Sequence, residues 1–290
     1  MTDGWPVVSG LTESQFSQTE QRMTDRITVS IEGGVADVRM NRPDKMNALD
    51  DAMFSALIET GERLKTDNSV RAVVLSGEGR GFCAGLDTSN FAGMAGGKRS
   101  SGGLVDTPRT PGGANRAQQA CMVWREVPVP VIAAVQGVAF GGGFQIALGA
   151  DLRFVAPDAR MSVMEIKWGL VPDMAGMLLL RPLVRDDVFR DLTFSGRIFD
   201  GQEAIQLGIA TRVTADPRSE ALEYAAAVAG RSPDAIRGAK RLLNLPATAT
   251  AHEILLAESV EQTALIGSPN QIEAVMANLE KRAPRFTDAA

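Results

Sequence analysis

Two glycine-rich stretches each follow a short apolar run. Ser76–Asp87 (SGEGRGFCAGLD) follows Ala72–Leu75, and Gln136–Gln145 (QGVAFGGGFQ) follows Val129–Val135. Glycines let main-chain N–H groups come close to a ligand. A helix starting just after Gly142 adds the positive end of its dipole. Two such amides meeting at strand ends form an oxyanion hole for a polarised carbonyl. The same sequence also suits two tight turns chosen for packing. The single histidine, His252, excludes a metal site of two or three imidazoles. With no GxSxG elbow present, it also argues against a Ser-His-Asp hydrolase, and it reads as a helix-surface or interface residue. Cys83 and Cys121 lie far apart in no CxxC spacing, which speaks against a disulfide framework or a zinc cluster. Cys83 reads as a small core residue rather than a nucleophile. Gly96-Gly97-Lys98-Arg99 lacks the P-loop hydroxyl, and Gly77, Gly79 and Gly81 do not make GxGxxG. The chemistry therefore falls to carboxylates, backbone amides or a cofactor.

The elements that must position these residues follow from pattern. The chain has 290 residues, 44% hydrophobic and 22% charged, enough for one large domain or two small ones. Its 35 acids against 30 bases, net −5, argue against a nucleic-acid partner. Residues 1–25 are polar, lack a signal-peptide core, and read as a flexible N-terminal segment. With the cysteine usage this fits a reducing, cytoplasmic location. Residues 27–31 and 35–40 alternate around Gly33-Gly34 and predict a β-hairpin. Asn47 is placed to cap a helix beginning at Ala48. Residues 72–75, 129–135 and 152–156 read as core strands, and 88–116, rich in Gly, Ser and Thr, as a surface loop. Val127–Ala150 is long and uncharged, but Pro128, Pro130, Gln136, Gln145 and the glycine triplet break it. A buried strand and helix explain it better than a membrane span. From Asp186 the pattern is almost wholly helical, and no internal repeat of constant period is visible.

The segments GRGFCAGLD, PVIAAVQGVAFGGGFQIALGADLRFVAPDARMSVMEIKWGLVPD and SGRIFDGQEAIQLGIATRV, in this order, resemble the crotonase superfamily of enoyl-CoA hydratases and isomerases. The resemblance implies an α/β fold. Its core is a crotonase-like spiral of ββα turns over residues 26–205, and its helical C-terminal region, 206–290, trimerises, giving a homotrimer or a hexamer. It further implies an acyl-CoA thioester substrate and no metal or redox cofactor, with coenzyme A entering only as part of the substrate. Neither nucleic acid nor membrane is implied as a partner.

Carried over residue by residue, the resemblance assigns the oxyanion amides to Leu86 and Gly142. The hydratase pattern has one glutamate two residues after the glycine triplet and another twenty residues on. Here the first position holds Gln145 and the second keeps Glu165. Glutamine cannot exchange protons, although it can orient a water or the substrate. Asp173, eight residues after Glu165, stands where hydratases have a glycine and where the dienoyl-CoA isomerase branch has an aspartate. A further aspartate of that branch is missing at Gln145. The implied reaction is proton shuttling by Glu165 and Asp173 on an enolate held by Leu86 and Gly142. An apolar lining of Met161, Val163, Met164, Trp168, Leu170 and Met174 would raise the carboxyl pKa values. For coenzyme A the resemblance points to Lys45 and Ala48, to backbone from Ala84 to Asp87, and to Lys281.

Alternatives stay open at this level. Asp173 could cap a helix beginning at Met174. Gln145 could be a polar side chain satisfied near a helix start, and Lys45 and Lys281 could be solvated surface lysines. The chain could be a hydratase using Glu165 alone, or an acyl-CoA-binding member without turnover.

Overall fold

The computed structural model describes residues 21–22, 25–88, 104–105 and 107–289. Runs of Val, Ile and Ala with few charges build a seven-stranded sheet. Strands β1 (Gln21–Arg22), β2 (Ile27–Glu32) and β3 (Val35–Met40) are antiparallel neighbours. The β2–β3 hairpin closes through Gly33 and Gly34, both at positive φ, as a two-residue turn of this hand requires. Helix α1 (Asp51–Thr66) leads to β4 (Ala72–Gly77), parallel to β3. Helix α2 (Arg116–Glu126) leads to β5 (Val131–Val135), parallel to β4. Then come β6 (Val138–Phe140), α3 (Gly142–Gly149), and β7 (Leu152–Val155), which is parallel to β5. Strand β8 (Arg160–Ser162) pairs with β6, and α4 (Gly176–Leu180), α5 (Asp186–Ser195) and α6 (Gly201–Gln206) precede β9 (Arg212–Val213), parallel to β7. Helices α7 (Pro217–Ala229), α8 (Pro233–Leu243), α9 (Ala251–Leu265) and α10 (Pro269–Leu279) complete the order.

A second row of short pairings runs beside the large sheet: Leu49 with Leu86, Cys83 with Ala139, β6 with β8, and Met161 with Phe199. Successive turns of chain thus place a strand in the sheet, a short pairing in the second row, and then helix. This is the ββα spiral that the resemblance implied. Alternation within the strands separates the faces of the sheet. Val73, Leu75, Val131, Ala133 and Val155 join the main core, while Ala72, Val74, Ile132, Ala134 and Phe154 pack on Ala221, Ala225 and Ala229 of α7. Alanines four residues apart let that helix lie close to the strands. Strand β9 and helix α7 therefore extend the sheet's own layer beyond residue 205, the expected end of the core.

Two sequence expectations change. Asn47 does not cap α1. The cap is Asp50, whose carboxylate accepts from Met53 N (2.8 Å) and pairs with Arg26 (2.7 Å). No helix begins at Met174 either: α4 begins at Gly176 after Ala175 at φ +69°, without a side-chain cap. Helix α8 is fastened to the core through Lys240, whose Nζ donates to Val129 O and Asp151 Oδ2, both at 2.7 Å. Helix α9 buries none of its residues and exposes Leu255, Leu256 and Val260. Of the expected flexible segment 1–25, residues 1–20 and 23–24 lie outside the described residues, as do 89–103 and 106 of the expected surface loop. Among the described residues no helix is long and apolar enough to cross a membrane.

Candidate active site

Asn47 organises the first glycine turn. It is fully buried at φ +56°, and its Nδ2 donates to the carbonyls of Glu78 (3.0 Å), Gly81 (2.9 Å) and Phe82 (3.1 Å). Its Oδ1 accepts from Arg42 N at 2.8 Å, and its carbonyl accepts from Cys83 Sγ at 3.1 Å. Cys83 is buried, and loss of solvent pushes its thiol up to about 12, so it is a packed residue and not a nucleophile. The second glycine turn lies directly against the first. Cys83 N donates to Val138 O (2.9 Å) and Phe140 N to Cys83 O (3.1 Å). The approach is too close for side chains at several places. A Cβ at Gly85, which sits at φ +86°, would fall 2.5 Å from Phe140 O, and one at Gly143 would fall 2.2 Å from Cys83 O.

This docking brings Leu86 and Gly142 to the wall of one cavity of about 470 Å³. Neither Leu86 N nor Gly142 N has a hydrogen-bond partner among the described residues. Gly142 is the first residue of α3, where helix N–H groups have no partner within the helix and the dipole is positive. The two amides have the chemistry to accept a developing oxyanion.

Glu165 opens a short 3-10 turn, Glu165–Trp168, and is only 8% exposed. Its carboxylate lies over Gly141, where an added Cβ would come within 3.2 Å of Oε1. Oε1 accepts from Gln145 Nε2 at 2.6 Å, while Oε2 is buried without a hydrogen-bond partner among the described residues. Burial pushes the Glu165 pKa up. Its own backbone N–H and Gln145 pull it part of the way back, and the charge of Asp173 adds a smaller upward push. Asp173 lines the same cavity. The residue is exposed, and partial burial of its carboxyl still raises its pKa through loss of solvent. Two carboxyls with an enhanced tendency to hold a proton thus share one cavity with two unpartnered amides.

The remaining expected site residues divide. Ala84 and Trp168 line the cavity, with the indole also under Lys167 Nζ at 5.5 Å. Met164, Leu170 and Met174 line it as well, whereas Met161 and Val163 belong to the core beneath. Gln145, 2% exposed, lies behind Glu165 and not on the wall. Lys45, Ala48, Asp87 and Lys281 are also off the wall. Lys45 is exposed on a 3-10 turn and Ala48 is buried, while the Asp87 carboxylate is held by Arg42 Nη1 at 2.6 Å. Lys281 is exposed just beyond α10 at φ +54°. Sequence reasoning missed Phe54, Phe140 and Val171 on the wall. The signal for Val171 was an apolar residue between turns with no periodic core to join. It is 70% exposed.

The sequence model of the enoyl-CoA hydratase/isomerase family matches residues 30–289. A Mycobacterium leprae protein named as a probable enoyl-CoA hydratase is 33% identical over 263 residues, covering 88% of this chain and 97% of that one. The mitochondrial Delta(3,5)-Delta(2,4)-dienoyl-CoA isomerase of Mus musculus is 30% identical over 256 residues, covering 86% of this chain and 77% of its own length. The crystal structure of an enoyl-CoA hydratase from Bacillus anthracis matches with a TM-score of 0.80 at 26% identity, over 90% of this chain and 98% of that one. Hydratase is the commoner name among the most similar relatives.

Proposed function

The chain belongs to the enoyl-CoA hydratase/isomerase family, and we propose that within it this protein is an isomerase that moves a proton along the acyl chain of an enoyl- or dienoyl-CoA thioester. The observation that carries the reading is the presence of Glu165 and Asp173 on the wall of the cavity that Leu86 and Gly142 also line. The thioester oxygen accepts from Leu86 N–H and Gly142 N–H. Glu165 Oε2 takes the proton from the carbon next to the carbonyl, and the electron pair of that C–H bond moves into the enolate, conjugated with the chain's double bond. Asp173, protonated, returns a proton further along, and the double bond shifts into conjugation with the carbonyl. Turnover leaves Glu165 protonated and Asp173 ionised, and passage of a proton from Glu165 to Asp173 restores both, so that atoms and charge balance with no water consumed. A raised pKa suits both roles, since each group must give and take a proton near neutrality. No metal or redox group is required by this sequence of steps. Coenzyme A enters with the substrate.

The test is conjugation of 3-enoyl-CoA and 3,5-dienoyl-CoA followed by absorbance. Glu165→Gln should reduce kcat by at least about a hundredfold on both, as expected for loss of a proton-transfer group. Asp173→Asn should cost more on the dienoyl substrate, whose proton must travel further. Unchanged turnover in Glu165→Gln refutes the assignment. A hydratase using Glu165 alone is the second reading, and the names of the relatives favour it. It requires measurable water addition to crotonyl-CoA. A binding member without activity would hold acyl-CoA esters and turn over none of them. The apolar, unburied face of α9 supports the expected homotrimer or hexamer.

A further inference from the structure

Gln145 does not line the cavity, yet its side chain is buried and hydrogen-bonded at both ends of its amide. Its Oε1 accepts two backbone bonds, from Met174 N (2.9 Å) and Gly176 N (2.8 Å). An amide oxygen has two lone pairs, so both are used. That fixes which end of the amide faces which way: the NH2 group is the end that meets Glu165 Oε1 at 2.6 Å. The backbone is bent to make this possible. Ala175, between the two donors, stands at φ +69°, a left-handed conformation that costs free energy in any residue with a Cβ. Glycine at 176 leaves room for this contact, since an added Cβ would lie 2.6 Å from Gln145 Oε1 and displace the amide. The same turn carries Asp173.

We propose that Gln145 is a positioning residue that occupies Glu165 Oε1, leaves Oε2 as the only proton-accepting atom of that carboxylate, and ties Glu165 rigidly to the turn that bears Asp173. The assignment rests on the proton-transfer reading above and deepens it. With both lone pairs committed, Gln145 has no acceptor left to hold an attacking water. The Nε2–H donor also stabilises the ionised form of Glu165, so a buried carboxyl is kept usable as a base.

Two substitutions test this. Gln145→Met keeps length and volume but removes both the donor to Glu165 and the acceptor of Met174 N and Gly176 N. The acid limb of kcat/KM should move up by about one pH unit, a tenfold gain in proton affinity. KM should rise as well, because Met174, whose N–H Gln145 holds, is on the cavity wall. Gln145→Glu keeps an oxygen for Met174 N and Gly176 N and so protects the fold. While its other oxygen is protonated it donates to Glu165 as the amide does; once it ionises, two like charges face each other and the pair titrates as a coupled unit. Wild type already needs Glu165 ionised and Asp173 protonated, so its profile is a bell; in Gln145→Glu the acid limb should broaden into two steps that belong to the pair at positions 145 and 165.

A purely structural role predicts an unmoved acid limb in Gln145→Met, and that result overturns the proposal. The 13C titration of the Glu165 carboxyl, assigned with Glu165→Gln, separates this proposal from the reading beneath it. If the titration moves up in Gln145→Met while the wild type isomerises nothing, the reaction is wrong and the positioning role stands. If the wild type isomerises and the titration stays put, the positioning role alone is wrong.

Discussion

The Gly142 amide can be removed with unusual economy. Gly142 is the first residue of α3, and its N–H has no partner among the described residues. Proline at a first helical position loses no helix hydrogen bond and has the right φ. Gly142→Pro therefore deletes one oxyanion donor while leaving the helix ladder whole. The new side-chain atoms are not free of cost: a Cβ at this position would lie 2.7 Å from Met174 Sδ and 3.0 Å from Leu49 Cδ1. Both contacts are ends of flexible side chains, so crowding should cost about 1–3 kcal/mol of stability. Gly142→Ala brings the same Cβ and keeps the N–H, which makes it the proper control. Losing one such donor costs about 2.7–4 kcal/mol of transition-state stabilisation, or a factor of about 10²–10³ in kcat. The expected result on 3-enoyl-CoA, followed by absorbance, is that alanine raises KM with a modest loss of kcat. Proline should lower kcat about a hundredfold or more below alanine. Thermal denaturation of the two variants should agree within a few degrees. Equal kcat in the alanine and proline variants would show that the Gly142 N–H stabilises no charge in the transition state, and the oxyanion assignment would fail.

Stability should depend on pH through Glu165. Burial raises its folded pKa, so as pH rises past the unfolded value of about 4.3 the unfolded chain ionises first, and the folded state loses stability until the folded pKa is passed. Glu165→Gln should thus melt higher than wild type at pH 7, with the gap closing below about pH 4; a gap that persists or reverses in acid contradicts the burial account. Sedimentation should find a homotrimer or a dimer of trimers, and Leu255→Lys with Leu256→Lys on the exposed face of α9 should yield monomers, each leucine representing about 1.5–3 kcal/mol of burial. A wild type that sediments as a monomer at micromolar concentration would mean that the α9 face has another use.

What could be read from the sequence was set by the range of the interaction involved. The strands of the large sheet were legible because alternation and buried apolar runs are local signals. Strands β6 and β8, at three residues each, are too short to show a period, and their pairing with each other is decided by the spiral. That spiral left no constant repeat to find. Successive parallel strands β4, β5 and β7 begin at residues 72, 131 and 152, because the connections between turns differ in length. Asn47 was misread for a physical reason. A short amide ahead of an apolar run is suited to capping, and the same two donors and one acceptor serve equally well to pin three carbonyls thirty or more residues away. Asp50, also a good cap, was available for the helix.

Gln145 shows the same limit more sharply. Its identity announced that the site departs from the two-glutamate hydratase pattern, but its role depends on Met174 N and Gly176 N, and no local signal in the sequence announces two backbone donors presented by a left-handed alanine. Those donors turn a residue that could have held a water into one that has no acceptor to spare. A glutamate there would satisfy the same two amides and place a second charge against Glu165. The choice between amide and acid at this one position therefore decides how many protons the buried pair carries. The rest of the cavity, its glycine turns and its apolar walls, would serve either chemistry.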